Sequence, residues 1–357
     1  MKVGVAMSGG VDSSTTALLL TQQGYDVFGF TCRLDDDYDN PIQKAKQVCQ
    51  KLSIEHYVVD LRNEFKKAII DDFNEKIKQG LTPIPCVKCN RVIKFGKLYD
   101  FCAKKNAKMA TGHYVKITHT LDENGKVKTN IFRAKDLLKD QTHFIYDIDK
   151  NVIDNILFPL GDFYKSEIFR IAEENNLIQR TTYNESQDVC FFNGKTYNEY
   201  VKSLNIPQQQ GDIIHITTGK KLGTHNGLLK YTIGQRQGIG VAWSEPLYVV
   251  ARDFIKNTLF VGEEHCLYSS SLQLKYVNLL VDIDKEIKCI KNNPFIEFNC
   301  KVCLRDKTPE IEANIKIDTT NNTAKVLLKI PARAITKGQS CVFYSGNKLL
   351  GGGVIVE

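Results

Sequence analysis

The sequence predicts an α/β protein: a doubly wound parallel sheet, then a small linker domain, then a C-terminal β-barrel. Three observations lead there. From residue 1 to about 118, short apolar runs alternate with amphipathic stretches at the spacing of strand–helix–strand units. From about 206 the texture turns glycine-rich, with short β-like runs between the glycines, and from about 272 β-like alternation continues to the end. The boundaries read as 1–205, 206–271 and 272–357.

Each element has a local reason. VGVAM (3–7) is an apolar run of the kind shown by a strand buried on both faces. SSTTALLLTQQG (13–24) reads as a helix ending at Gly24, followed by the strand DVFGFTC (26–32). KAKQVCQKLSI (44–54) is a second helix, closed by the strand HYVVDL (56–61). Helices over 61–80 and 90–105 follow, and KMATGH (108–113) again reads as strand then turn. Residues 119 to 205 mix hairpin and helix signals, with a helix beginning near Tyr164-Lys165-Ser166. In the last domain, turns fall at Thr319-Thr320-Asn321-Asn322 and at Ser345-Gly346-Asn347.

The composition is that of a folded chain: 357 residues, 42% hydrophobic and 25% charged. No apolar run approaches the roughly 18 residues of a membrane-spanning helix, and MKVGVAMSGG offers no signal-peptide cleavage site, so the expectation is a soluble, cytoplasmic, monomeric protein. Eleven cysteines, an odd number without a secretory signal, argue for free thiols in a reducing compartment. The net charge is +7. Residues 86 to 108 hold Lys88, Arg91, Lys94, Lys97, Lys104, Lys105 and Lys108 against Asp100 alone, which makes a polyanion a plausible partner.

Ser8-Gly9-Gly10-Val11-Asp12-Ser13 follows a buried-type strand and opens a helix. Glycines there let backbone N–H groups close on an anion, and the helix N-terminus adds partial positive charge; Asp12 or Ser13 can also cap the first turn. No Lys-Ser/Thr follows a second glycine, so this is not a Walker A loop. SGGVDS instead resembles the PP-loop of the ATP pyrophosphatases, which split ATP into AMP and pyrophosphate and adenylate a carbonyl oxygen.

Thr82-Pro83-Ile84-Pro85-Cys86-Val87-Lys88-Cys89-Asn90 reads as an extended segment leading into a helix near Asn90, with Val92, Phe95, Leu98 or Tyr99, and Cys102 as its buried stripe. Cys89 would then sit at a helix N-terminus beside Lys88 and Arg91, where a thiolate is stabilised and its pKa should fall. A zinc site shared with Cys300 and Cys303 is disfavoured, because in a β stretch residues three apart point to opposite faces. Cys190, beside Phe191 and Phe192, reads on its own as a core thiol.

The loop, the PxPCVxCNxxIKF segment, Thr111-Gly112-His113-Tyr114, Lys139-Asp140-Gln141, the Gln187-Asp188-Val189-Cys190-Phe191-Phe192 segment, Tyr231-Thr232-Ile233-Gly234-Gln235-Arg236, Gly338-Gln339-Ser340 and Gly351-Gly352-Gly353 stand in the order seen in tRNA 2-thiouridylases of the MnmA type. The resemblance covers essentially the whole chain. It implies a PP-loop, adenine nucleotide α-hydrolase-like first domain and ATP-dependent replacement of the C2 oxygen of wobble uridine 34 by sulfur, in tRNAs for Lys, Glu and Gln. It implies that Ala6, Met7, Ser8, Gly9, Gly10, Val11, Asp12 and Ser13 hold ATP with Mg2+, with Cys32 and Gly112 near the adenine and ribose. Cys190 would carry sulfur as a persulfide received from a sulfur-relay protein or cysteine desulfurase. Cys89 would attack that persulfide, or form the disulfide that frees the hydropersulfide; either route ends in a Cys89–Cys190 disulfide. His113, Lys139, Asp140, Gln141 and Gln339 match tRNA-contacting positions, and no resident metal is expected.

Two departures stand out. Many family members carry Asp where this chain has Cys86, and the family's Arg-Tyr pair in the last domain is replaced at Cys303-Leu304-Arg305. Cys86 is therefore expected to be a protonated supporting residue. The alternatives are a tRNA thiolase holding an iron–sulfur cluster on Cys86, Cys89 and Cys190, a tRNA-binding protein with a degenerate nucleotide site, and a synthetase acting on a small metabolite.

Overall fold

A computed structural model describes residues 1–121, 125, 127–177 and 189–357. The first sheet has five parallel strands in the spatial order Glu55–Asp60, Asp26–Arg33, Lys2–Ala6, Lys108–Ala110, Ile156–Leu157. The chain builds outward from Lys2–Ala6 on one side and then crosses to the other. The carboxyl ends of Lys2–Ala6 and Lys108–Ala110 therefore flank the point where the strand order reverses, which is where open α/β sheets bind ligands. Val3, Val5, Phe28 and Phe30 are all buried, as the continuous apolar runs required.

Two helical runs differ from expectation. Residues 62–78 are helical, but Lys66–Asp71 in their middle wind as a π-helix. The helix expected from Asn90 begins five residues earlier, at Pro85, a residue suited to the first helical position because its missing N–H would be unpaired there anyway. It runs on through a π-helical stretch, Asn90–Leu98, to Tyr99–Lys104. That winding also moves the buried stripe: Ile93, Phe95, Leu98 and Cys102 are buried, whereas Val92 is half-buried.

Gly211–His215, Lys221–His225, Tyr248–Asp253 and Thr258–Gly262 form a separate four-stranded sheet. It meets the first domain where Arg252, held by the Tyr231 carbonyl of its own domain, donates to the Gly80 carbonyl, each bond 2.9 Å. Gly80, at φ +77°, leaves the room that Phe254 fills; a Cβ there would lie 2.0 Å from its ring.

In the last domain Tyr268–Leu279, Thr323–Arg333, Ile311–Asp318, Phe295–Cys303, Ser340–Ser345 and Lys348–Ile355 pair in that order. Lys348–Ile355 pairs back onto Tyr268–Leu279. The six antiparallel strands thus close into a barrel. The predicted turn at 319–322 is organised by Asp318, whose carboxylate accepts the N–H groups of Thr320 and Asn321. One hairpin crosses the expected boundary: Val115–Leu121 and Val127–Arg133 lie within 1–205, yet Phe132 pairs with Lys348 of the barrel. One apolar cluster accordingly runs from Phe28, Phe95 and Met109 into Val342, Tyr344 and Leu349.

Candidate active site

The switch point opens into a cavity of about 260 Å³. The glycine loop borders it through Ser8, Asp12 and Ser13, while Gly9, Gly10 and Val11 do not line it. Gly9 adopts φ +74°, and a Cβ there would sit 2.5 Å from Lys44 Cβ, so glycine is required. Ser8 and Ser13 brace the turn: the Ser8 N–H donates to Ser13 Oγ at 3.2 Å, and Ser13 Oγ donates to the Gly10 carbonyl at 3.1 Å. The expected side-chain cap is not made; among the described residues no side chain caps the helix Val11–Gln22. Its N-terminal dipole therefore faces the cavity without a side chain covering it. Asp12 is held from below by Lys165 Nζ, 2.8 Å from each carboxylate oxygen, and by the Tyr114 hydroxyl, which donates at 2.8 Å. Lys165 is buried. Gly112 closes on this loop so tightly that a Cβ would lie 2.9 Å from the Asp12 carbonyl carbon.

The thiols occupy the other part of the cavity. Cys89 and Cys32 line it together with Ala6, Met7, Ser8, Asp12, Ser13 and Gly112. Cys89 lies inside the helix that starts at Pro85 rather than at its mouth. The thiol is accordingly not acidic: burial pushes it up to about 12, against the pull of Lys94. That corrects the expected fall. Burial likewise raises Cys32 to about 12. Cys86 and Cys190 present accessible surface but stand within a concave rim of protein. That desolvation raises both; Cys86 raises Cys190 further, and Lys94 lowers each. Cys190 opens a short 3₁₀ turn, Cys190–Phe192. Phe191 and Phe192 drive it into an aromatic cluster: Phe73 and Phe191 centroids are 5.4 Å apart, and Phe192 stacks on Tyr200 at 4.6 Å. So the thiol first read as core is the exposed tip of an anchored segment. Gln187 and Asp188 of the same motif lie outside the described residues.

Three family domains match the chain in sequence: the tRNA methyl transferase HUP domain over 1–194, the tRNA methyl transferase PRC-barrel domain over 198–263, and the aminomethyltransferase beta-barrel domain over 280–355. Proteins called tRNA-specific 2-thiouridylase MnmA align end to end. That of Hydrogenobaculum sp. (strain Y04AAS1) is 41% identical over 99% of this chain and 100% of its own. That of Persephonella marina is 40% identical over 100% of both chains, and that of Aquifex aeolicus 38% over 100% of this chain and 99% of its own. The chain belongs to the MnmA family.

Of the positions matched to tRNA contacts of MnmA proteins, His113 and Gln141 line the cavity. Gln141 Oε1 accepts the Tyr114 N–H at 2.9 Å, whereas neither the half-buried Lys139 nor the buried Asp140 lines the cavity. Asp140 is turned inward. It is buried, paired with Arg133 at 3.0 Å, and accepts from Thr142 Oγ1 at 2.6 Å and the Ala134 N–H at 3.0 Å. This corrects its expected role: the carboxylate shapes the loop that carries Lys139 and Gln141. Gln339 Nε2 donates to the Thr82 carbonyl at 2.8 Å, tying the barrel to the segment before the thiols.

The basic cluster is also rearranged. Lys88 pairs with Asp72 at 2.7 Å and Arg91 with Asp147 at 2.8 Å. Lys105 lies 3.8 Å from the Tyr57 ring centroid and Lys108 donates to the Asp154 carbonyl. Lys94 faces the cavity. The run thus serves packing and the site more than an open phosphate track, because neighbouring carboxylates and rings claim most of it. Sequence reasoning missed Lys165 and Tyr114 as partners of Asp12, and counted Lys94 only among the charges offered to a polyanion. No spacing rule links positions 12 and 165; the π-helical winding hid Lys94.

A direct magnesium site does not fit the donor set at the loop, because both oxygens of Asp12 face the Lys165 ammonium. Among the described residues, the group whose ligand atoms could converge on one ion is Glu263, His265 and Cys266 of the middle domain. Glu263 Oε1 there already accepts from Trp243 at 3.0 Å and lies 3.2 Å from His215 Nε2. No helix among the described residues is long and apolar enough to cross a membrane.

Proposed function

We propose that this chain is an ATP-dependent tRNA 2-thiouridylase that converts wobble uridine 34 of tRNAs for Lys, Glu and Gln to 2-thiouridine. The observation that carries the reading is the convergence of an anion-binding glycine loop and a recessed thiol, Cys89, on one cavity at the sheet's switch point.

The chain's residues divide the work. The loop from Met7 to Ser13 holds the phosphates of ATP, with Cys32 and Gly112 packing on the nucleoside by van der Waals contact. Uridine O2 attacks the α-phosphorus, pyrophosphate leaves, and the C2–oxygen bond becomes breakable. Extracting the base from the anticodon stack costs a few kcal/mol, met by contacts from His113, Gln141, Lys139 and Gln339. Cys190, exposed, receives a sulfur atom from the persulfide of a donor protein. Its terminal sulfur attacks C2 and AMP departs with the former O2. Cys89, recessed, then loses its proton to water and attacks Cys190 Sγ. The S–S bond breaks, its electron pair stays on the nucleoside sulfur, and a Cys89–Cys190 disulfide forms, which an external dithiol reduces. The exposure of Cys190 beside the recess of Cys89 supports this order, since only an exposed thiol can meet a protein donor.

The test is reconstitution. Purified protein, tRNA transcript, ATP with magnesium and a persulfide donor should yield 2-thiouridine by nucleoside mass spectrometry, with AMP and pyrophosphate formed one for one. An absence of 2-thiouridine, or product formed without ATP, defeats the reading. The cluster alternative predicts dependence on iron; full activity in colourless, iron-free protein removes it.

A further inference from the structure

Five residues separate Cys89 from Lys94, a spacing that in an α-helix puts two side chains on different faces. Here Asn90–Leu98 are π-helical, so successive turns match residues five apart, and position 94 comes round to the face of position 89. Both line the cavity, while Arg91 and Lys97 remain exposed.

Lys94 is also fixed at its tip. Its Nζ lies 3.4 Å from Nε2 of the buried His113, whose Nδ1 lies 2.8 Å from Thr111 Oγ1. With Lys94 donating to Nε2, the imidazole proton belongs on Nδ1 and is donated to Thr111. Burial and the Lys94 charge both hold the ring neutral, well below the ordinary histidine value. The pair therefore divides cleanly: the ammonium keeps the charge and the imidazole is its anchor.

Around that charge stand the thiols. Lys94 acts electrostatically on Cys32, Cys86, Cys89 and Cys190, and in each case favours the anion. Backbone N–H groups help at Cys86 and Cys190, while the other ionisable groups facing the thiols work in the opposite sense. The thiols oppose one another, Asp60 and Glu64 oppose ionisation of Cys32, and the Tyr38 hydroxyl is itself held neutral among them.

We propose that Lys94, hung from His113, is a positioning residue for the sulfur chemistry, supplying the countercharge for the sulfur anions that form on Cys89 and Cys190. It rests on the thiouridylase reading for its purpose, but not for its test. Destroying that charge leaves sulfur anions in a recess that otherwise disfavours them.

The experiment is alkylation by iodoacetamide across pH 6 to 10, on full-length protein without tRNA or ATP, with Cys89 and Cys190 quantified by peptide mass spectrometry. Lys94→Met should slow alkylation of both thiols about tenfold at pH 8 and move their profiles about one unit upward. Lys94→Arg should retain the native profile, because it keeps the charge. Cys102, fully buried, reports the fold in the same spectra; if Lys94→Met exposes it, Lys94→Gln replaces that variant. A charge-removing variant with Cys102 protected and the native thiol profile overturns the proposal, as does a Lys94→Arg profile displaced as far as that of Lys94→Met. A displaced profile in a protein that makes no 2-thiouridine would overturn the function and leave the role of Lys94 toward the thiols standing.

Discussion

Two helices furnish the cavity, and they do so differently. Val11–Gln22 is a regular α-helix whose contribution is mostly backbone: an N-terminus aimed at the site, a glycine turn before it, and Asp12 pinned by Lys165. Residues 85–104 contribute side chains, among them Cys89 and Lys94, and that Lys94 shares the face of Cys89 depends on π winding between Asn90 and Leu98. Function carried by a backbone terminus survives errors of a residue or two in reading the sequence. Function carried by side-chain direction does not.

The comparison can be broken at several points. The largest effects belong to the thiol side: Cys89→Ser and Cys190→Ser should each abolish 2-thiouridine formation while leaving tRNA affinity, measured by filter binding, nearly intact. Turnover retained by either variant sinks the persulfide route. On the loop side, Asp12→Ala removes the carboxylate that faces the buried Lys165 ammonium, which should lower stability by up to about 3 kcal/mol, and should also end pyrophosphate release. A denaturant titration and a pyrophosphate assay separate the two losses, and unchanged release would falsify the assignment of the loop.

The two sides should also differ in acid. Burial lowers His143 to about 4 and His113 well below its ordinary value. Between pH 6.5 and 4 the unfolded chain binds these protons first, so stability is full above about 6.5 and falls as pH drops toward 4. At about 1.4 kcal/mol per unit, His143 alone accounts for roughly 3 kcal/mol. Among the described residues neither of its ring nitrogens finds a partner, so His143→Leu should flatten the slope between pH 7 and 5 in urea titrations; an unaltered slope would assign it elsewhere.

The smallest effect is expected at Cys86. Its raised, protonated thiol makes it a supporting group, so Cys86→Ser should keep measurable thiolation and Cys86→Asp should be tolerated. Loss as complete as in Cys89→Ser would favour the cluster mechanism.

What was legible follows from range. Four of the five parallel strands, the loop Ser8–Ser13 and the barrel alternation are properties of short consecutive stretches, and each lies where the apolar runs and glycines put it; the fifth strand, Ile156–Leu157, is two residues long and carries no such signal. The partner of Asp12 lies at position 165, the partner strand of the 115–133 hairpin lies at 348, and the inward turn of Asp140 is set by Arg133 and Thr142. None of these is written in a local period. The pKa of Cys89 went astray for a subtler reason: moving the helix start from Asn90 to Pro85 exchanges a dipole that acidifies a thiol for burial that does the reverse.

Thr82 is clamped by the barrel. Its N–H donates to the Lys337 carbonyl at 3.0 Å, and its carbonyl accepts from Gln339, three residues ahead of the helix that bears Cys86 and Cys89. The barrel therefore anchors the entry to the thiol helix from outside the first domain, as a bracket holds the foot of a post.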